Sequence, residues 1–376
     1  MRKSHLITLA VAAALAAPLA AHADAGDTTL GGTMFLDFTS VNNQVSGKDA
    51  DPNGFGIDVK RAYLIVNHTF DDVWSMNVTT DFNFPKLSVT GKDSTGATVA
   101  STGNAPETQV FIKKAYVQGK FSDMTVLRLG ASDMPWIPYA EGIYGYRFLE
   151  NTLIDRSEIG GIGSFGNSSD WGANLSGGNG TINYAAALVE GAGYKTPIRS
   201  KTMDFEGRLA FVPVDGLNIA VGYYTGELGQ DTEANEATAS AALPSVTKQT
   251  ATRTDFLAAW KANGLTVGLE YFTADDFGSK LIFTNTEDKA DGYSLYGSYD
   301  FPGTDWSLFG RYDNVKPKKD TDNSLEDKYY NAGVAVKTNK NITWAFAYKS
   351  EKLSDSAVAP IDVKADEFGV WAQIKF

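Results

Sequence analysis

The chain has 376 residues, of which 33 are Lys or Arg, 45 are Asp or Glu, 3 are His and none is Cys, for a formal net charge of −12. This acidic balance argues against a protein that binds nucleic acid and against a basic protein of the membrane surface. The lack of cysteine excludes a disulfide framework, and the few histidines leave no His- or Cys-based metal site, so we expect neither a metal nor another cofactor.

The N-terminus has the pattern of a secretory signal peptide. Arg2 and Lys3 precede the apolar run Leu6–Ala20, and the small residues of Ala21–Ala23 follow it. We therefore predict cleavage after Ala23, which would leave a mature chain from Asp24 with 31 basic and 45 acidic residues. The alternative is a retained anchor helix, although the apolar run is shorter than the ~20 residues that cross a bilayer.

Histidine usage argues against an enzyme. His5 and His22 precede the predicted cleavage point, so His68 would be the single histidine of the mature chain. A Ser-His-Asp triad needs an imidazole oriented by a carboxylate beside a nucleophile. His68 lies in an alternating strand pattern near a turn, and we expect its replacement by alanine to leave function intact.

Downstream of the signal peptide, apolar and polar residues alternate with the period of a β-strand. Examples are Trp74–Phe84, Met203–Phe211, Leu265–Tyr271 and Glu367–Phe376. Because successive side chains of a strand point to opposite faces, these segments predict an all-β antiparallel fold. A soluble sandwich would alternate as well, so the period alone leaves that alternative open.

The connectors between these segments alternate between short and long, as in outer-membrane barrels with short periplasmic turns and long external loops. Seven tight turns and eight longer connectors predict sixteen strands in residues 24–376, enough to enclose an aqueous channel. Trp74, Trp306, Trp344, Tyr271 and Tyr348 lie near strand ends, where an aromatic girdle is expected. The turns are at 71–72, 122–124, 177–180, 212–216, 263–264, 302–305 and 339–341; the longer connectors are 43–55, 85–108, 132–169, 191–200, 227–252, 275–291, 315–326 and 352–365.

The predicted inner face of this barrel is rich in charge of both signs. A purely structural barrel or an adhesin need not maintain such a face, which favours a channel over those two alternatives. Strand parity assigns ten charged residues to the pore lining: Arg61, Asp81, Lys114, Arg128, Asp204, Glu206, Arg208, Glu270, Arg311 and Asp313.

The connector at 132–169 is the longest in the chain, and its segment Pro135–Arg156 has five aromatic and five charged residues among 22. Loops of this length are usually functional or disordered, and an aromatic-rich segment tends to pack. We expect it to fold into the barrel as the third external loop and to set ion preference there. The alternative is an external loop that covers the mouth or contacts a neighbouring subunit. The predicted constriction residues are Trp136, Tyr139, Glu141, Tyr144, Tyr146, Arg147, Glu150, Asp155 and Arg156.

Two segments, Val59–Phe82 and Val110–Pro135, resemble the phosphate-selective porin O and P family of Gram-negative outer-membrane channels. The resemblance implies a 16-stranded, trimeric porin whose third external loop folds into the lumen. The final VWAQIKF, which ends on Phe376, is similar to the assembly signal of outer-membrane barrels in general. The implied partners are outer-membrane lipids and lipopolysaccharide, two further copies of the chain, and the barrel-assembly machinery during insertion.

The chain departs from the family in its charge pattern. The phosphate channels of that family carry arginine ladders and a lysine-rich constriction, whereas only eight arginines follow the signal peptide here. Charges of mixed sign screen one another over ~8 Å, and a tight anion site needs donors without competing carboxylates. We therefore expect a water-filled channel for passive diffusion of small hydrophilic solutes and ions, general or weakly selective. The alternatives are a carbohydrate-preferring porin, since aromatics beside charges suit sugars, and a phosphate- or anion-selective porin.

Two polar segments complete the sequence predictions. Asp49–Gly54 has the start of a calcium loop but Lys60 where the bidentate Glu belongs, so it is expected to be an acidic external turn. Glu233–Ala242 is polar and rich in alanine, and it is expected to be a mobile external loop.

Overall fold

The alternating segments of the sequence form eighteen antiparallel strands in a computed structural model, and sixteen of them close into one barrel. The predicted signal peptide lies outside the residues that the structure describes. Those residues are 26–83, 90–92, 98–101, 109–156, 164–242, 247–277, 282–283, 287–355 and 361–376.

The barrel strands follow one another around the sheet in chain order, each paired with its neighbours in sequence. Strands β4 and β5 form a separate small hairpin between β3 and β6. The bounds are β1 Asp27–Val45, β2 Lys48–Thr69, β3 Trp74–Asn83, β4 Thr90–Lys92, β5 Thr98–Ser101, β6 Gln109–Ser122, β7 Thr125–Asp133, β8 Ser169–Gly178, β9 Ile182–Val189, β10 Asp204–Phe211, β11 Leu217–Gly226, β12 Ala251–Ala262, β13 Leu265–Asp275, β14 Lys289–Asp300, β15 Trp306–Lys316, β16 Glu326–Asn339, β17 Ile342–Asp355 and β18 Ile361–Lys375.

The strands have one apolar, exposed face and one face of mostly buried side chains. On β13, Val267 and Tyr271 are exposed while Glu270 and Phe272 are buried. Large apolar side chains that are exposed strand after strand are the outward pattern of a barrel in an apolar surrounding, with polar and charged side chains turned inward.

The barrel closes between its first and last strands. Strand β1 pairs with β2 on one side and with β18 on the other. Beyond the end of β18, the Phe376 amide donates to the Gly32 carbonyl at 3.1 Å and the Gly32 amide donates to the Phe376 carbonyl at 2.8 Å. A closed sheet has no free edge, so the backbone groups of every barrel strand find partners.

The structure confirms the predicted sixteen barrel strands and the alternation of short turns with longer connectors. One predicted connector needs correction. The expected long connector at 43–55 is wrong, because β1 and β2 are joined by the two-residue turn Ser46–Gly47. Both residues have positive φ, 50° and 74°, which is the geometry that joins antiparallel strands most tightly.

The segment Asp49–Gly54 is therefore part of β2 rather than an external turn. The register of β1 against β2 shifts between Val41 and Asn43, opposite this segment. There the Asn43 side chain donates to the Pro52 carbonyl at 2.6 Å, and the Asn43 amide donates to the Asn53 side chain at 2.5 Å. Side-chain amides thus satisfy the backbone where the ladder is irregular.

Two connectors contain helices. Glu233–Ala242, expected as a mobile loop, forms helix α2, which follows from its alanine content and the glutamates of its first turn. Helix α1, Ile137–Tyr144, lies in the connector 134–168 and ends at Gly145, whose φ of 80° a glycine adopts without strain. A short 3-10 helix at Leu153–Asp155 follows. Among the described residues, every helix is too short or too polar to cross a membrane.

Candidate functional site

The segment 134–168, here called the long connector, begins and ends against β10 and β12. The Trp136 amide donates to Glu206 at 2.8 Å, and Arg253 donates to the Phe165 carbonyl at 2.5 Å. The same guanidinium donates to Glu206 at 2.8 Å and to Asp255 at 2.9 Å. Both ends of the connector are therefore held by one buried, charge-assisted network.

Small residues on the strands make room for the connector. Ala187, Ala210, Ala220 and Ala259 belong to the same buried cluster as Trp136. At Gly222 on β11, an added Cβ would lie 2.6 Å from the Trp136 ring, a distance that no carbon atoms tolerate. The Trp136 side chain thus packs where the strands carry alanine and glycine, as expected for close-packed interiors.

Arg156 attaches the other end of Pro135–Arg156 to three further strands. Its guanidinium donates to Asp313 of β15 at 3.1 Å, to Glu351 of β17 at 2.8 Å and to Asp327 of β16. Its side chain is only 2% exposed. The expectation that Arg156 lines an opening is therefore wrong, because three carboxylates enclose it.

Arg311 of β15 extends this charged cluster. It donates to Asp313 at 2.6 Å and to the Asn151 carbonyl of the connector at 2.5 Å. Both residues were predicted to line the pore, and both are buried. In the structure, Arg311 bonds to the connector backbone and Asp313 bonds to Arg156 of the connector. Both charges therefore hold the connector to β15.

Glu150 and Leu149 form the third attachment. Lys349 of β17 lies 3.3 Å from the Glu150 carboxylate and 2.6 Å from that of Glu367, and Lys60 of β2 donates to the Leu149 carbonyl at 2.8 Å. Burial alone would raise the pKa of Glu150, but the charges of Lys349, Lys60 and Arg156 outweigh it and hold that pKa below its ordinary value. Glu150 is thus ionised over the physiological range.

Aromatic side chains fill the space between these attachments. Tyr144 contacts Tyr296 edge to face with ring centroids 5.3 Å apart, and the Tyr146 and Phe309 centroids are 4.3 Å apart. The Tyr146 hydroxyl lies 3.2 Å from that of Ser307. These rings pack on side chains of β14 and β15.

Glu141, Arg147 and Asp155 form another charged group of the connector, with side chains 17%, 12% and 14% exposed. Arg147 forms an ion pair with Glu141 and lies 3.8 Å from Asp155. Burial raises the pKa of the Asp155 carboxyl, while the charges of Arg147, Lys113 and Arg61 act in the opposite direction without cancelling it. The last two cations belong to strands β6 and β2.

Strands β2, β3 and β6 carry a charged group of their own. Arg61 of β2 forms an ion pair with Asp81 of β3 at 2.5 Å. The Lys113 ammonium of β6 lies 3.4 Å from the Tyr63 hydroxyl and 4.9 Å from the centre of its ring. Lys113 is 7% exposed and forms no ion pair with a described carboxylate.

The remaining predicted pore-lining residues lie at different heights of the barrel. Lys114 pairs with Asp133 at 2.6 Å, and Arg128 donates to Gln118 at 2.8 Å. Arg208 donates to the Pro135 carbonyl, and its Cζ lies 3.9 Å from the ring centre of the predicted constriction residue Tyr139. Glu270 is buried. Asp204 accepts from the amides of Glu227 and Leu228, each at 2.8 Å, and so holds the loop after β11.

Sequence parity missed Lys60 and Lys113 because both stand at β-bulges. The register of β1 and β2 passes from Arg61 to Val59, and that of β3 and β6 from Lys114 to Ile112, so each lysine is left without a cross-strand partner. A strict period would have turned one residue of each basic pair outward. A charge on a lipid-facing strand costs about 2–4 kcal/mol at mid-membrane, so two adjacent basic residues in an alternating strand are a usable signal for a bulge.

His68 is remote from these groups. Its Nδ1 lies 2.8 Å from the Thr28 hydroxyl and its ring packs edge to face on Phe70, with centroids 4.6 Å apart. No described carboxylate is bonded to this imidazole.

No protein-family model and no curated protein matches the chain. Solved structures do. The anion-selective porin from Comamonas acidovorans aligns with a TM-score of 0.57 at 11% identity, over 94% of this chain and 100% of that one. The in-vitro folded OmpT of Vibrio cholerae in its trimer form aligns with a TM-score of 0.53 at 14% identity, over 94% of this chain and 100% of that one. Salmonella typhi OmpF in complex with daunomycin aligns with a TM-score of 0.55 at 12% identity, over 93% of this chain and 97% of that one.

The chain has a porin fold. The alignments span nearly the whole of each chain, so the agreement covers the barrel and not a local motif. At these identities the likeness concerns the fold alone, and the more specific resemblance to the O and P family stays a prediction.

Proposed function

We propose that the protein is an outer-membrane porin that forms a water-filled channel for passive diffusion of small hydrophilic solutes and ions. The observation that carries the proposal is the attachment of one connector to β2, β10, β12, β15 and β17. Side chains spread so widely around a closed barrel can meet one segment only across its interior. The connector then narrows the lumen instead of filling it, in the manner of a charged constriction.

The channel that we infer runs between the two charged groups described above. Glu141, Arg147 and Asp155 border it on the connector, and Arg61 and Lys113 border it on the wall. Carboxylates among these cations oppose the strict phosphate selectivity of the resembled family, since a tight anion site needs donors without competing acceptors. We therefore infer weak selectivity. Lys60 and Lys113 lack an ion pair with any described carboxylate, so we infer that the weak selectivity is for anions.

The setting and assembly are inferred from the fold and the resemblance. The exposed apolar face, with Leu30, Phe38, Phe55 and Ile57 on the first hairpin, suits contact with outer-membrane lipids, lipopolysaccharide or a neighbouring copy. A homotrimer in the outer membrane of a Gram-negative bacterium, delivered by a signal peptide and the barrel-assembly machinery, is the assembly we propose. A catalytic role is not part of the proposal.

Planar-bilayer recording of the purified protein tests the channel. Ohmic current steps are expected, and the His68→Ala variant should give the same steps. A folded barrel without current steps would contradict the proposal.

The position of the connector is tested by deleting residues 136–150, with deletion of 233–242, helix α2, as the matched control. A narrowing connector predicts that the first deletion raises single-channel conductance at least about twofold, because conductance follows the open cross-section, and that the control leaves it unchanged. Equal conductance of the two folded variants would assign the connector to the outside of the mouth instead.

The inferred anion preference is tested on a single strand. Lys113→Gln removes the unpaired cation of β6, whereas Lys120→Gln removes an exposed one at the turn of the same strand, paired with Asp123 at 2.8 Å. In a salt gradient, the first variant should move the reversal potential toward that of an unselective pore, and the second should match the wild type. A reversal potential unchanged by Lys113→Gln would refute the inferred sign.

A further inference from the structure

The loop 190–203 between β9 and β10, here called the Tyr194 loop, bonds to strands far from its own. The Tyr194 hydroxyl lies 2.5 Å from Asp81 Oδ2 of β3 and 3.3 Å from Arg61 Nη1 of β2. Tyr194 is 8% exposed and Asp81 is fully buried. Strands β6, β7 and β8 separate β3 from β9 in the sheet, so the Tyr194 side chain reaches across that sector of the barrel.

The base of this loop is held firmly. Asp170 of β8 accepts from the Gly191 and Gly193 amides, each at 3.1 Å, and both glycines have positive φ, 88° and 79°. The Tyr194 amide donates to the Ser169 carbonyl at 3.1 Å, and Trp171 donates to the Tyr194 carbonyl at 3.3 Å. Tyr194 is therefore held to β8 through its own backbone, while its hydroxyl bonds to β3.

The Tyr194 loop borders the side of the barrel that the long connector leaves free. The attachments of the connector described above go to β2, β10, β12 and β15–β17. On β6, Lys113 lies 4.9 Å from the Tyr63 ring centre and 5.7 Å from that of Tyr194. The ammonium thus stands between an aromatic ring of the wall and one of the loop.

We propose that the Tyr194 loop is a second strap across the channel, and that Tyr194 determines the size of the passage beside Lys113. The inference rests on the proposed channel function. The Tyr194 hydroxyl and the Arg61 guanidinium both donate to the Asp81 carboxylate, so two donors share its negative charge. Lys113 is the buried cation of β6 that lies between the strap and the connector. Two loops, not one, then set the narrowest cross-section.

Single-channel recording with polyethylene glycols of increasing size tests the strap. Tyr194→Ala should raise conductance on the order of 1.5-fold and admit larger polymers, since conductance and exclusion follow the open cross-section. Tyr194→Phe keeps the ring but loses the hydroxyl bond, so it should increase current noise with a smaller rise in conductance. Tyr184→Phe is the matched control, because its hydroxyl bonds to the Met124 carbonyl at 2.7 Å, at the opposite end of the barrel.

Wild-type conductance and exclusion size in both Tyr194 variants would overturn the strap while leaving the channel intact. Absence of current from the wild type would instead refute the proposed function, so the two failures are distinguishable.

An introduced pair of cysteines gives a second test that does not depend on Tyr194→Ala folding well. The chain has no cysteine, so Tyr194→Cys with Asp81→Cys supplies its only thiols. Joining them with a short bifunctional thiol reagent should restore wild-type conductance to a variant that otherwise conducts more. Complete cross-linking without a change in conductance would count against the strap.

Discussion

At the residue scale, Arg156 shows how a buried charge is kept in this barrel. Three carboxylates from β15, β16 and β17 surround its guanidinium, and the Tyr329 ring lies 4.9 Å below it. Removing one partner of a buried ion cluster leaves the others desolvated and unpaired, which costs more than the interaction itself contributes. Strand parity identified Asp313 as an inward residue. The composition of the long connector placed Arg156 at an opening, because loop contacts leave no periodic signal in the sequence.

We predict that Arg156→Gln lowers the free energy of unfolding by about 3–5 kcal/mol, since Asp313 and Asp327 lose their common cation. Urea denaturation of the barrel in detergent micelles measures this change. Lys328→Gln is the control, because its exposed pair with Glu326 contributes at most about 1 kcal/mol. An Arg156→Gln barrel as stable as that control would disprove the attachment.

At the element scale, the long connector was predicted within two residues of its observed bounds, 134–168, because the alternation stops at Asp133 and resumes at Ser169. Its helix α1 was not predicted. A helix of eight residues carries little periodic pattern, and this one depends on tertiary packing of Ile137 and Ala140. The bulges of β2 and β6 were missed for a related reason, since the register of a strand is set by its neighbours.

The connector also makes a pH prediction. Burial raises the pKa of Asp155, so this carboxyl takes up a proton at a higher pH than an ordinary Asp with a pKa of about 3.9. Protonation removes a negative charge beside Arg147, so anion preference should increase as the pH falls from about 7 toward about 4. Reversal potentials across this range measure the shift. Asp155→Asn should already show the acidic value at neutral pH, and a variant that titrates like the wild type would exclude Asp155 as the group responsible.

At the scale of the whole molecule, Phe376 extends the pairing of β1 with β18 that closes the barrel. Phe376 exchanges two backbone hydrogen bonds with Gly32 across the seam, whereas its side chain is 65% exposed. The role of Phe376 in assembly stays a prediction.

We predict that Phe376→Ala reduces the amount of folded barrel in the outer membrane of expressing cells, while refolding of the purified chain into lipid vesicles is unaffected. Heat-modifiable migration on gels measures the folded fraction in both settings, and Phe376→Trp, which keeps a terminal aromatic, should behave as the wild type. An equal loss in cells and in vesicles would assign Phe376 to barrel stability instead.

The sequence by itself determined the all-β class, the sixteen strands and the place of the long connector, because period-2 alternation and turn spacing are local properties of the chain. Only the tertiary structure decided which charges hold the long connector to the barrel and which do not. Arg156, Arg311 and Asp313 are enclosed by partners up to 195 positions away along the chain, whereas Lys113 is turned inward by a bulge. Such pairings form only when the sheet closes, since closure is what brings distant strands within reach of one connector.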